Sequence, residues 1–167
     1  VLQSQYEDTS VIPQELRDFL DANQARYAII SHSPAYTAAE TAELAHVHGS
    51  EFTKVTIVRI DGKLAMAVLP ATQCVELALL KGAAHATDVA LAHEYEFKDR
   101  FPNCEVGAMP PFGNLYDMKV YVEESLERNT FIYFNAGSHA EVIKISFAEY
   151  RTLLRPTICR IAGDYAN

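Results

Sequence analysis

Hydrophobic positions along the chain fall into short alternating runs separated by turn residues, with helical stripes between them. Leu16, Phe19 and Leu20 recur at helical spacing behind Pro13, a residue suited to a first turn, and predict a helix over about 13–24. Residues 27–32 read as a short apolar strand. Thr37-Ala38-Ala39-Glu40 fits a capping box, which starts a second helix expected to reach about Val47 and stop at Gly49. The clearest hairpin follows, with β-rich runs at 52–60 and 63–69 joined by Asp61-Gly62. Residues 74–81 predict a short helix ended by Gly82, 87–92 a strand, and 93–101 a helix stopping before Pro102. A loop over 103–114 precedes three strand-like runs at 118–122, 130–135 and 141–145. Residues 147–154 predict a helix, and 157–161 a last strand. Strands cluster as hairpins as well as alternating with helices. This predicts an α/β chain, a single domain over 1–167, with one curved, barrel-like mixed β-sheet flanked by helices.

Composition narrows the class. The 167 residues are 49% hydrophobic and 22% charged, enough apolar content for a packed core and too much for a disordered chain. No apolar run is long enough to span a bilayer, and no basic-then-apolar leader opens the chain. The formal charge is −8, divided evenly between the halves on either side of Ala83. That balance argues against broad nucleic-acid binding, which depends on cations displacing counterions from phosphates. Three cysteines without a CxxC pair point to a reducing, cytoplasmic setting.

Three features bear on chemistry. Lys54 stands in Phe52-Thr53-Lys54-Val55-Thr56-Ile57-Val58, a strand apolar on both faces, and shares a face with Phe52, Thr56, Val58 and Ile60. It either packs its stem with a solvated head or lines a pocket where its charge can hold an anion or developing oxyanion. Gly107-Ala108-Met109-Pro110-Pro111-Phe112-Gly113 is either a rigid turn or a loop that presents backbone to a ligand. Asn135-Ala136-Gly137-Ser138-His139 is either a plain strand connection or a turn that offers polar groups to a ligand. No carboxylate completes a Ser-His triad, no zinc spacing is present, and no phosphate-binding glycine loop occurs. Cys74 is placed near the start of a short helix, where the dipole would favour a thiolate for a thiol-dependent hydrolase, but a buried helix cysteine is the favoured reading.

Taken in order, the phenylalanine-x-lysine strand, the Gly-Ala-Met-Pro-Pro-Phe-Gly loop, Tyr121-Val122-Glu123-Glu124-Ser125-Leu126, and Phe-Asn-Ala-Gly-Ser-His before a strand resemble the YbaK family. This family is also called the prolyl-tRNA-synthetase-associated domain, and the resemblance spans roughly residues 29–161. It implies a curved mixed sheet close to a barrel and hydrolytic removal of a wrong amino acid from tRNA, usually alanine or cysteine on the proline tRNA. Lys54 matches the family's pocket lysine, which is associated with activity. Gly107 to Pro111 resembles its Gly-x-x-x-Pro loop, and Gly137, Ser138 and His139 fall where a glycine-containing turn faces the same pocket.

The resulting expectation is a free-standing aminoacyl-tRNA deacylase. Lys54 serves as the catalytic group, with Gly107, Met109, Pro111, Phe112, Gly137, Ser138 and His139 binding substrate. Backbone N–H groups around Gly107 and Gly137 would meet the ester carbonyl, and walls around Met109 and Ala136 would exclude large side chains. No metal or organic cofactor is required. The partner is the acceptor end of an aminoacyl-tRNA, with a synthetase as a further partner and no membrane. So little positive charge implies weak tRNA affinity with a shallow salt dependence. The rival reading is a non-catalytic module that holds an amino acid, a nucleotide or the tRNA end for regulation.

Overall fold

A computed structural model describes residues 12–31 and 38–165. Helix α1 (Gln14–Ala22) starts after Pro13 and buries Leu16 and Leu20 completely. Each such leucine contributes about 1.5–3 kcal/mol by leaving water. Strand β1 (Tyr27–Ser31) follows, then α2 (Ala38–Leu44). The expected Thr37 cap and the His32 strand end lie outside the described residues. Helix α2 ends earlier than Gly49, because His46 takes a left-handed φ of 56° and turns the chain. Strands β2 (Phe52–Ile60) and β3 (Lys63–Pro70) form the hairpin, with Asp61 at φ 48° and Gly62 at φ 83°. Two positive φ values in a two-residue loop match the right-handed twist of paired strands.

The next stretch departs from the sequence pattern. Gln73–Val75 is a strand, β4, and the helix α3 begins only at Leu77 and runs to Ala83. Gly82 therefore lies inside that helix, and His85 at φ 51° follows its end. Strand β5 (Val89–Leu91) and α4 (Glu94–Phe97), extended by a short 3-10 turn, come next. Strands β6 (Lys119–Glu123), β7 (Phe131–Asn135) and β8 (Glu141–Ser146) precede α5 (Phe147–Leu154). Ser146 caps α5 by accepting the Glu149 N–H at 3.1 Å, and Arg155 ends it in the left-handed region before Pro156. Strand β9 (Thr157–Cys159) and β10 (Ala162–Asp164) close the order.

Eight strands form one mixed sheet in the order β1-β8-β7-β2-β3-β6-β9, with β5 added to the far end of β2. The path is open, since β1 and β9 at its ends do not pair with each other. Strands β4 and β10 form a separate two-stranded ribbon. Register divides the sheet into two buried faces. One carries Ile57, Met66, Val68, Val120, Ile132, Phe134 and Ile143, covered by α1, α5 and the 108–118 loop. Phe112 is the hub there, with Phe19, Phe134 and Tyr150 rings at 6.0, 5.4 and 5.5 Å. The opposite face is covered in two places. Leu80 of α3 packs with Val58, Ala65, Ala67 and Tyr121, and Ala42 of α2 packs with Phe52, Ala71 and Val142. Lys54 stands on this second face, on the strand that joins the two groups.

Candidate functional site

Lys54 is half-buried and opposes Leu69 across the hairpin. Its ammonium donates to the Tyr165 hydroxyl and lies 4.7 Å from the centroid of that ring. Tyr165 is carried there by the segment that follows Cys159. Its neighbour Asp164 pairs with Gln73, and the backbone N–H groups of Ile161 and Ala162 donate to one oxygen of buried Glu123 at 2.7 and 2.8 Å. A carboxylate at the end of β6 thus fixes the strap that brings an aromatic ring to the lysine. Tyr165 itself is 57% exposed, so one side of the pair faces solvent.

The same tyrosine forms part of the wall of a cleft of about 530 Å³ between α2 and the β3–β4 turn. The other walls are small: Ala39, Ala42, Gly49, Ala71 and Thr72, with Val47 behind them. Gly49 is required by contact, because a Cβ there would stand 2.9 Å from the Thr72 methyl. Glu43 is the carboxylate among the lining residues. A cleft with small apolar walls, one carboxylate and a lysine beside it suits a small cationic group joined to an anionic one.

Asn135, which opens the third sequence motif without a role of its own there, adds a further group. It follows Phe134, the last residue of β7 that pairs with β2, opposite Thr53, and so belongs to the same sheet face as Lys54. Asn135 is buried, and its side-chain oxygen accepts no hydrogen bond among the described residues. A buried acceptor left open in this way is costly unless a ligand or water meets it. Its only signal in the sequence was an amide at the end of an apolar strand.

The two other motifs come together on the far side of the sheet. Gly137 donates its N–H to the Ala108 carbonyl at 2.9 Å, and Glu105 donates its N–H to the Gly137 carbonyl at 2.7 Å. The His139 N–H donates to a Glu105 carboxylate oxygen at 3.0 Å, while its Nε2 donates to the Val106 carbonyl at 2.7 Å. Ser138 is buried and accepts the Ala140 N–H at 3.3 Å. The 105–108 loop and the 137–139 turn are therefore stitched into one unit, in which the Gly137 and His139 N–H groups are already engaged. Gly107, at φ 83° and exposed, is the part of this unit that faces solvent. Met109, Pro111 and Phe112 point inward, Met109 and Phe112 within the main core, and the fully buried Tyr150 hydroxyl donates to the Pro111 carbonyl at 2.7 Å. Ala136 is fully buried in the same core. The walls of the lysine cleft are thus the alanines of α2 and β3–β4, not Met109 and Ala136, whose side chains are committed to packing.

The thiols occupy ordinary structural positions. Cys74 lies in β4 opposite Gly163, not at the start of a helix, so the helix-dipole argument for it does not apply. Burial pushes the Cys104 thiol above its usual range, and burial followed by Glu123 and Glu124 does the same for Cys159. Among the described residues no three His, Cys, Asp or Glu side chains gather as metal ligands, and no helix is long and apolar enough to cross a membrane.

Comparison with known proteins agrees with this architecture. The structure of a hypothetical protein, APE2540, superposes with a TM-score of 0.81 at 21% identity, covering 89% of this chain and 99% of that one. A candidate trans-editing enzyme for prolyl tRNA synthetase superposes at 0.76 with 14% identity, over 90% of this chain and 96% of its own. A candidate signal transduction protein from Marinobacter aquaeolei VT8 contains the same fold as 31% of a longer chain, with 92% of this chain covered, a TM-score of 0.72 and 13% identity. No curated protein matches the chain in sequence. At these identities the structural likenesses establish the fold. The sequence profile of the aminoacyl-tRNA editing domain matches residues 32–153, a stretch that holds Lys54, the Gly107 loop and the Gly137 turn, and the chain belongs to that family.

Proposed function

We propose that this protein is an aminoacyl-tRNA deacylase that removes a small, wrongly attached amino acid, with alanyl- and cysteinyl-tRNA(Pro) as its first candidate substrates. The observation that carries the reading is a lysine rising from an apolar strand beside a cleft with alanine walls, in a chain of the editing family. The amino acid enters the cleft, where Ala39, Ala42, Ala71 and Thr72 leave room for a short side chain and reject a long one. Glu43 faces the α-ammonium group. The Lys54 ammonium stabilises charge on the ester oxygen or holds the terminal phosphate, and Asn135 supplies an open acceptor on the same sheet face.

The ester is more reactive than an amide, so positioning and charge stabilisation carry most of the rate. Water adds to the carbonyl carbon, the bond to the ribose oxygen breaks, and that oxygen leaves as a hydroxyl with the proton the water lost. The neighbouring ribose hydroxyl is placed to assist that transfer. The unit formed by Gly107, Gly137, Ser138 and His139 holds the loop rigid, and Met109, Pro111 and Phe112 anchor it from the core, so these residues serve substrate through the backbone they fix. The whole chain acts as one editing unit in the cytoplasm, without a cofactor, on tRNA delivered with or by a synthetase.

The test is hydrolysis of a panel of charged tRNAs by the wild type, Lys54→Ala and Lys54→Arg. Loss of one charge-stabilising donor lowers kcat/KM by about 10²–10³, with Arg restoring part of it. A folded wild type that leaves alanyl- and cysteinyl-tRNA(Pro) intact removes this substrate assignment, and tight retention of the tRNA end without turnover supports the binding-module reading instead. Equal rates for wild type and Lys54→Ala remove the role given to Lys54. Full activity after iodoacetamide treatment excludes a thiol nucleophile.

A further inference from the structure

A cleft of about 580 Å³ lies at the opposite end of the β2–β3 hairpin from Lys54. Lys63, Arg100 and Lys119 line it, Asp117 is the one carboxylate among its lining residues, and Ile60 and Tyr121 contribute to its floor. In a chain of net charge −8, three cations round one opening reverse the local field. Their heads are not consumed internally. Lys119 lies 5.3 Å above the Tyr121 ring, and Arg100 donates one N–H to the Tyr116 carbonyl at 3.2 Å, which aims the rest of its guanidinium. None of the three forms an ion pair among the described residues, whereas Arg59 and Arg151 do.

Register shows which way the cleft faces. Ile60 opposes Lys63, Ala65 opposes Lys119, and Lys54 opposes Leu69, so Lys54, Ile60, Lys63 and Lys119 all stand on one face of the sheet. From Lys54 to Ile60 the strand advances about 20 Å at ~3.3 Å per residue. Helix α3 covers the face between them and leaves Lys81 exposed on its outer side. At the ~3.4 Å of helix axis that each nucleotide of a stacked strand takes, roughly six nucleotides cover that distance.

We propose that this cleft is a phosphate-binding site for the tRNA acceptor arm, which it grips while the 3′-terminal ester lies at Lys54. The ligand chemistry is a run of RNA phosphodiesters, and the site accounts for how an acidic protein with one lysine at its reaction centre holds its substrate. The assignment to tRNA rests on the deacylase reading, but its test does not require turnover.

Binding of an uncharged acceptor-arm hairpin RNA is measured between 50 and 200 mM salt. Three phosphate contacts give a slope of log K against log salt of about −2.1 to −2.7, which is roughly an 18- to 42-fold loss across that range. Each of Lys63→Gln, Arg100→Gln and Lys119→Gln lowers the slope by close to 1, while Arg128→Gln, an exposed control elsewhere, leaves it unchanged. In ester hydrolysis the triple variant raises KM and keeps kcat. A triple variant with the wild-type slope overturns the site even if the enzyme hydrolyses ester. So does equal competition by adenosine monophosphate at the concentration of the hairpin, which would make it a mononucleotide pocket. Conversely, an inert protein that still binds the hairpin with this slope keeps the site and removes the deacylase reading. Circular dichroism of the triple variant, matched to wild type, shows that the effect is not unfolding.

Discussion

Replacing Glu123 by Ala tests how the strap is held against the lysine. The buried carboxylate accepts the Ile161 and Ala162 N–H groups at 2.7 and 2.8 Å, and Ala supplies no acceptor. Hydrogen bonds to a charged group contribute about 1.5–3 kcal/mol each, so keeping the strap in place without them costs about 3–6 kcal/mol. The strap is otherwise held by the three-residue pairing of β10 with β4, by the Glu76 N–H donating to the Ile161 carbonyl at 2.9 Å, by the Lys54–Tyr165 contact, and by the burial of Ile161 and Ala162. The expected result is local loosening, with global stability falling by no more than about 3–6 kcal/mol, the value of the two lost bonds. Hydrogen exchange read at the Ile161, Ala162 and Gly163 amides should accelerate far more than exchange in β2 or β3. Glu123→Gln retains an oxygen at the same place and should show a smaller acceleration. If the Ile161 and Ala162 amides of Glu123→Ala exchange at the wild-type rate, the carboxylate is not what fixes the strap.

Three further outcomes follow from the core. Tyr150→Phe leaves the Pro111 carbonyl without its buried donor and should cost about 1–3 kcal/mol in urea unfolding; unchanged stability would show that the loop is held by packing alone. Gly113→Ala places a Cβ 2.5 Å from the Met118 carbonyl and 2.6 Å from a Val120 methyl, so it should lose about 1–3 kcal/mol or more, which a thermal melt reads directly. Burial raises the Tyr116 and Tyr150 phenols, so their contribution to stability is complete below the ordinary tyrosine range and is lost as pH rises above about 10. A stability curve that stays flat from pH 8 to 11.5 contradicts this sign.

Much of the fold was readable because local pattern and final structure agree. Residues 147–154 are helical as their spacing requires, and Asp61-Gly62 turns as a two-residue hairpin loop must. The misreading at Cys74 has a physical origin. Gln73–Val75 is extended because it pairs with Ala162–Asp164, far along the chain, and no local window contains that partner. Helix α2 stops at Leu44, short of the expected end at Gly49, because His46 turns the chain through the left-handed region. The site divides in the same way. Lys54 stood out because a cation in an apolar strand needs an explanation. The alanine cleft and Tyr165 did not, since small residues and a lone tyrosine look unremarkable until the topology gathers them. Met109 and Phe112 sit in a recognisable motif, but periodicity could not tell that the loop turns their side chains inward.

Strand β1 has a consequence for where this protein can be cut. It pairs antiparallel with β8 along all five of its residues, from Tyr27 with Ile145 to Ser31 with Glu141, yet it precedes the family match that begins at 32. The recognisable stretch is therefore smaller than the packed fold it belongs to. A fragment trimmed to 32–153 would bare the hydrogen-bonding edge of β8 and the seat of Leu16 and Leu20, inviting edge-to-edge association between copies. It would also lack the strap that reaches Lys54. In this chain the family match thus begins and ends inside the packed fold.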